Sequence, residues 1–213
     1  MNKRKLIGYY DYTVILTYMG MAFAFYGILM SIENCYFEAI ICLMAAGLCD
    51  MLDGTVASTK IRTASEKRFG IQIDSLCDLI SFGVMPGMFV YMISDRRPII
   101  GVLVTMYVLA GLIRLAYFNV LEEQRQDLNP CKEKTFMGFP ITTIALMLPL
   151  VYLIHTVFGL SSPIIYWIAL ALCGTGFLTP IEIKNPNLVG KSILAIIGIL
   201  EALGVFVMGH GII

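Results

Sequence analysis

Asp50-Met51-Leu52-Asp53-Gly54-Thr55-Val56-Ala57 and, after a basic connection, Gly70-Ile71-Gln72-Ile73-Asp74-Ser75-Leu76-Cys77-Asp78-Leu79-Ile80-Ser81-Phe82-Gly83 set four carboxylates inside two otherwise apolar runs, 36–56 and 70–93. Each run has the length of a membrane span and is too uniformly apolar for an alternating barrel strand, so hydrocarbon forces it to be a helix that pairs its own backbone. Working outward, five more such runs lie near 13–32, 98–120, 139–158, 163–180 and 189–209. The expected fold is an all-α, polytopic transmembrane helix bundle of about six to eight spans.

Composition agrees. Of 213 residues 58% are hydrophobic and 14% charged, with a mean hydropathy of +0.82, too apolar for a water-soluble globule, which is nearer one-quarter charged. Fifteen basic and fifteen acidic residues cancel, so no overall basic field draws the chain to nucleic acid, and no nucleic-acid partner is expected. Six separate cysteines, 35, 42, 49, 77, 131 and 173, lack metal or redox spacing and read as small hydrophobes. The first apolar run continues to Ile32 and reads as an uncleaved helix. No soluble appended domain is visible, and residues 1–213 read as one integral membrane domain.

Charge distribution sets the expected orientation. Lys3, Arg4, Lys5, Lys60, Arg62, Lys67, Arg68, Arg125, Lys132, Lys134, Lys184 and Lys191 fall on one side, against Arg96 and Arg97 on the other, with Arg114 inside a span. Because cytoplasmic loops are enriched in Lys and Arg, the N-terminus and the carboxylate end are expected to face the cytoplasm.

Asp50 and Asp53 are three apart and Asp74 and Asp78 four apart, so each pair shares a helical face. Consecutive spans run in opposite directions, which brings both pairs to one depth. A bare carboxylate inside a span costs roughly 2.5–3.5 kcal/mol, and four at close range also repel one another. Hard oxygen ligands suit Mg²⁺ or Mn²⁺, and two such ions ~3.5–4 Å apart form a clamp for phosphate chemistry. Two divalent cations held by Asp50, Asp53, Asp74 and Asp78 are therefore expected.

The pattern Asp-x-x-Asp-Gly-x-x-Ala, a spacer, then Gly-x-x-x-Asp-x-x-x-Asp, met at Asp50, Asp53, Gly54, Ala57, Gly70, Asp74 and Asp78 within a signature region 50–83, resembles the signature of the CDP-alcohol phosphotransferase family. The resemblance implies a membrane enzyme whose metals hold the diphosphate of a CDP-linked donor near Gly54, Ala57, Ser58 and Gly70, with Asp78 as catalytic base. It also implies a homodimer. Ser58 stands where the pattern usually has Arg, and the spacer is longer than usual. Lys60 or Arg62 is expected to contact the donor, and Lys67 or Arg68 the acceptor or its phosphate.

Asp74-Ser75-Leu76-Cys77-Asp78 with Ser81-Phe82-Gly83 and Pro86, Arg114 to Asn119, and Phe136 to Pro140 resemble the branch of that family that uses serine. Transfer of the phosphatidyl group of CDP-diacylglycerol to L-serine, with CMP leaving, is the expected reaction. Arg114 has the planar fork to grip serine's carboxylate or a phosphate, with Asn119 assisting; a salt bridge from Arg114 to one of the aspartates is the plainer alternative. Glycerol phosphate or inositol phosphate as acceptor, or a cation transporter, are the rival readings. His155 and His210 lie towards the other side, and Glu201 in the last span is open between a dimer interface, a polar cavity and the headgroups.

Overall fold

The computed structural model describes residues 8–10, 12–128, 136–183 and 188–210. Each of the seven expected spans coincides with one helix: α1 Tyr12–Ile32, α2 Tyr36–Ala57, α3 Ala64–Ile93, α4 Pro98–Leu128, α5 Ile141–Phe158, α6 Ile164–Leu178 and α7 Leu188–His210. α1 and α5 each open with a turn of 3₁₀-helix. Helices α1 to α5 are long and apolar enough to cross a membrane, and α6 and the stretch Ile196–Val207 of α7 are shorter apolar helices. Among the described residues the β structure is one two-residue antiparallel pair, β1 Phe136–Met137 with β2 Glu182–Ile183. The fold is an all-α polytopic bundle.

Two boundaries differ from the sequence expectation. α3 begins at Ala64 rather than 70, because Thr63 caps it: the Glu66 N–H donates to Thr63 Oγ1 at 3.3 Å, while the Thr63 N–H donates to the Glu66 carboxylate at 2.8 Å. This reciprocal box satisfies two donors that a helix start otherwise leaves open. α4 runs on to Leu128 instead of ending near 120, carrying its last two turns beyond the apolar stretch.

Helix α1 presents Thr17, Gly20, Ala24, Gly27 and Ser31 as its buried stripe. Spaced three and four apart, these small residues let α1 approach closely, which is how helices associate where lipid removes the hydrophobic drive between them. A Cβ built at Gly20 would lie 3.2 Å from Cys49 Cβ, and one at Gly27 3.0 Å from Cys42 Cβ, so the α1–α2 seam has room for little more than a hydrogen. Phe89 anchors the far half of the core, with ring contacts to Tyr36, Tyr152 and Tyr166 at 5.6, 6.4 and 5.8 Å.

Helix α3 is not regular throughout. Leu79–Val84 is a π-helical segment, directly after Asp78, and such segments insert an extra residue that re-aims the side chains beside them. Pro86 follows and has no N–H to donate to the Phe82 carbonyl four residues back. The Tyr107 hydroxyl of α4 donates to that carbonyl instead, at 2.5 Å. The disturbed turn is thereby held in place from the neighbouring helix, and it sets how Asp78 and Ser81 face the cleft described next.

Candidate functional site

The C-terminal end of α2 and the middle of α3 deliver the four aspartates to one place. Ligand oxygens of Asp50, Asp74 and Asp78 all lie within 4.8 Å of one another. Asp50 and Asp78 are within hydrogen-bonding reach of each other, and so are Asp53 and Asp74. Carboxylates this close repel strongly unless a cation lies between them. Asp53 also accepts the Gly54 N–H and, at 3.0 Å, the Thr17 hydroxyl from α1. A small cleft is lined by Thr17, Gly20, Ala46, Asp50, Asp53, Cys77, Asp78, Ser81 and Phe82, with Leu16 and Met21 at its α1 edge.

The donor set fits a hard divalent cation: carboxylate oxygens from two helices, half-buried, at mutual distances that one ion can span. The space beside them fits a ligand. A Cβ at Gly54, one turn from Asp50, would meet nothing within 4 Å, so the α2 backbone is open to something outside the chain. Ala57 is half-buried on the same side.

Across from it, Arg62 Nη1 lies 3.1 Å from where a Cβ at Gly70 would sit. The half-buried guanidinium rests on the α3 backbone one turn before Asp74, and a side chain at position 70 would push it away. The other connection residues are disposed differently. Ser58 turns its hydroxyl back onto Thr55 O at 2.6 Å. Lys60 pairs with Glu66 at 3.2 Å, the same carboxylate that closes the α3 capping box. Lys67 and Arg68 are exposed on the first turns of α3.

Arg114 is only 7% exposed and lies over the Phe118 ring at 4.6 Å. Asp78 is the charge that acts on it, but no salt bridge forms within 4.0 Å among the described residues, and its Nε has no hydrogen-bond partner. A buried N–H left open beside a carboxylate cluster suits an anionic ligand. Asn119, expected to assist Arg114 at the acceptor, has partners within the protein. Its carbonyl accepts from Ser75 Oγ at 2.7 Å and its amide donates to Gln72 at 3.3 Å, while Gln72 donates to Glu123 at 3.0 Å. Asn119 ties α4 to α3 beside Asp74. Glu123, on the polar extension of α4, joins the same network through Gln72.

Sequence reasoning missed Thr17, Gln72, Ser75 and Tyr107, and it left the roles of Arg62 and Lys60 unseparated. The Gly138-Phe139-Pro140 turn docks on the end of α6: the Gly138 N–H donates to Ile181 O at 2.8 Å and Phe139 N–H to Gly176 O at 3.0 Å. Gly138 has φ +72°, and a Cβ there would meet the Phe177 carbonyl at 2.9 Å, so glycine is required both for the backbone angle and for space. His155 bridges Tyr166 OH and Leu160 O at the far end of the bundle, a structural role. Cys42, Cys49, Cys77 and Cys173 are buried and Cys35 is half-buried. Cys131 and the side chain of His210 lie outside the described residues.

The model of the CDP-alcohol phosphatidyltransferase family matches residues 13–175, the stretch that carries every residue of the cluster. The chain belongs to the CDP-alcohol phosphatidyltransferase family. Among its curated relatives, an archaetidylserine synthase of Methanothermobacter thermautotrophicus is 34% identical over 154 residues, 72% of this chain and 62% of the relative. A CDP-diacylglycerol–serine O-phosphatidyltransferase of Saccharomyces cerevisiae is 40% identical over 112 residues, 51% and 40% of the two chains. One of the same name from Bacillus subtilis is 29% identical over 152 residues, 70% and 75%. The match thus spans less than two thirds of the first two of these relatives. As a CDP-alcohol phosphatidyltransferase the chain is an integral membrane protein, in keeping with its five long apolar helices. Family membership also implies divalent metal, and Asp50, Asp74 and Asp78 are disposed to hold it.

Proposed function

We propose that the chain transfers the phosphatidyl group of CDP-diacylglycerol to L-serine, releasing CMP and forming phosphatidylserine. The observation that carries this reading is the convergence of three carboxylates within 4.8 Å, two of them on a cleft, beside a buried arginine whose Nε has no partner among the described residues. The acceptor is supported by the names of the relatives, which are serine phosphatidyltransferases or, in one case, an archaetidylserine synthase.

Two divalent cations, Mg²⁺ or Mn²⁺, would be held by Asp50, Asp53, Asp74 and Asp78; bound there, they supply charge neutralisation on the diphosphate and on departing CMP. The chain's own groups do the rest. The donor diphosphate lies along Gly54, Ala57 and Gly70, with Arg62 completing its charge balance from the connection. Arg114 takes serine's carboxylate, offering the N–H that has no partner among the described residues. Asp78 accepts the proton of the serine hydroxyl as its oxygen bonds to phosphorus and the bond to CMP breaks, then passes that proton to water. Acyl chains leave sideways into the bilayer.

In this reading residues 1–213 act as one catalytic domain, with signature region 50–83 facing the cytoplasm, the N-terminus on the same side, and the enzyme a homodimer. The distribution of basic residues supports the orientation. Purified protein in nanodiscs, given CDP-diacylglycerol and a panel of serine, glycerol phosphate and inositol phosphate, tests it. Serine should liberate CMP with Mn²⁺ or Mg²⁺ present and not after chelation. CMP release with a phosphorylated alcohol instead would change the acceptor, and ion flux without CMP would make the protein a transporter.

A further inference from the structure

Helix α1 supplies no signature residue, yet it touches the cluster. Thr17 is 9% exposed, lines the cleft, and donates from Oγ1 to Asp53 Oδ2 at 3.0 Å. It is the last member, at the site end, of the stripe Thr17, Gly20, Ala24, Gly27, Ser31, and Gly20, one turn on, brings α1 against Cys49 on α2. The reach of the hydroxyl is a product of that seam: a side chain larger than hydrogen at 20 would hold α1 away from Asp53.

Asp53 differs from its three companions. Asp50, Asp74 and Asp78 form the tight triplet, whereas Asp53 reaches the cluster through Asp74 and is held from behind by the Gly54 N–H and Thr17. A flexible carboxylate beside a triplet has several rotamers, and one that binds a cation well must be fixed in the right one. Groups that orient ligands in this way are worth about 10–100-fold in metal affinity.

We propose that Thr17 is a positioning residue for the metal site: its hydroxyl occupies Asp53 Oδ2 and turns the other carboxylate oxygen towards Asp74, so that α1 completes the set that α2 and α3 begin. This rests on the reading of the four aspartates as metal ligands. The donor is a neutral hydroxyl, which orients Asp53 without cancelling the negative charge a cation needs.

The test uses full-length protein in nanodiscs and Mn²⁺ alone, followed by the loss of its free-ion EPR signal. Thr17→Val keeps the side-chain shape and removes the donor; it should weaken the Mn²⁺ binding that involves Asp53 by about 10–100-fold. Thr17→Ser keeps the donor and should bind as wild type. In an Asp53→Asn background, Thr17→Val should have no further effect, since the two act as one unit. Unchanged Mn²⁺ affinity in Thr17→Val would overturn the proposal, as would equal weakening in Thr17→Ser, which would trace the effect to packing of the methyl group. Wild-type protein that takes up no Mn²⁺ would instead remove the metal reading itself, and this proposal with it. If Thr17→Val does not assemble, Thr17→Ser and the Asp53→Asn pair with Thr17→Ala decide the matter.

Discussion

The molecule places acidic side chains within its spans in two very different ways. At the site end, four aspartates face one another across α2 and α3, with Thr17 and the Gly54 N–H turned to them and Arg114 nearby. On α7, Glu201 is 6% exposed and its Oε2 has no hydrogen-bond partner among the described residues; Gly204, three residues on, lies against Leu153 of α5. Both arrangements oppose insertion into hydrocarbon. Only the first converges carboxylates from two helices on a cleft. Chemistry therefore belongs to convergence, and the burial of an acid alone does not mark a site.

The hardest blow to the cluster should come from Asp78→Asn. The amide keeps the shape but cannot take a proton, and loss of a general base lowers turnover by about 10²–10⁴-fold. CMP release in nanodiscs measures it, with Mn²⁺ uptake recorded alongside. A variant that retains full turnover would take Asp78 out of the base role and leave it a cation ligand only.

Arg114→Ala comes next. It removes a charge-assisted contact, typically ~1.5–3 kcal/mol, or about 10–150-fold. If the guanidinium holds serine, that loss appears in KM for serine and leaves KM for CDP-diacylglycerol nearly unchanged. Equal loss in both would place Arg114 on the shared phosphate. The variant also leaves Asp78 without its cationic neighbour, so a change confined to kcat would assign it to tuning the base.

Two cations of the same connection provide a finer contrast. Arg62 sits on the Gly70 backbone one turn before Asp74, and Lys60 is paired to Glu66. Arg62→Ala should raise KM for CDP-diacylglycerol by roughly tenfold, the loss of one charge-assisted contact. Lys60→Ala removes a partly exposed ion pair worth about 0–1 kcal/mol and should leave the kinetics near wild type. A reversal, with Lys60→Ala the more damaging, would mean that the connection reorganises around the donor.

Much of this was legible before any coordinates. Length and hydropathy located the seven helices because hydrocarbon allows a span few alternatives, and three- and four-residue spacing put each aspartate pair on one face. Thr63-Ala64-Ser65-Glu66 also carries a readable helix start, one that hydropathy does not mark because the first turns of α3 are polar. Other features had no local signal. Thr17 looks like any threonine in an apolar run until α1 is packed on α2, although its place three residues before Gly20 and seven before Ala24 marks a close-packing stripe. Asn119 follows Arg114 in the same motif, and its hydrogen bonds to Ser75 and Gln72 are tertiary contacts that no local pattern announces. The π segment after Asp78 depends on Tyr107 from another helix, so sequence offered Pro86 as a hint and nothing more.

The smallest effects should fall on Glu201, and they bear most directly on the contrast between the two buried acids. Glu201→Gln should leave CMP release within about twofold of wild type, because Glu201 is not among the residues lining the cleft and changes away from a site act weakly. Glu201→Leu goes further: it replaces a buried group whose open oxygen costs about 1–3 kcal/mol with one that needs no partner. The unfolding midpoint in nanodiscs should rise by a few degrees with turnover unchanged. If instead either variant lowers turnover by an order of magnitude, Glu201 communicates with the aspartates through α5 and α2, and the separation between an acid that converges and an acid that is merely enclosed would have to be given up. A stable, fully active Glu201→Leu would show that this bundle tolerates an unpartnered acid at one position while using four partnered ones at another.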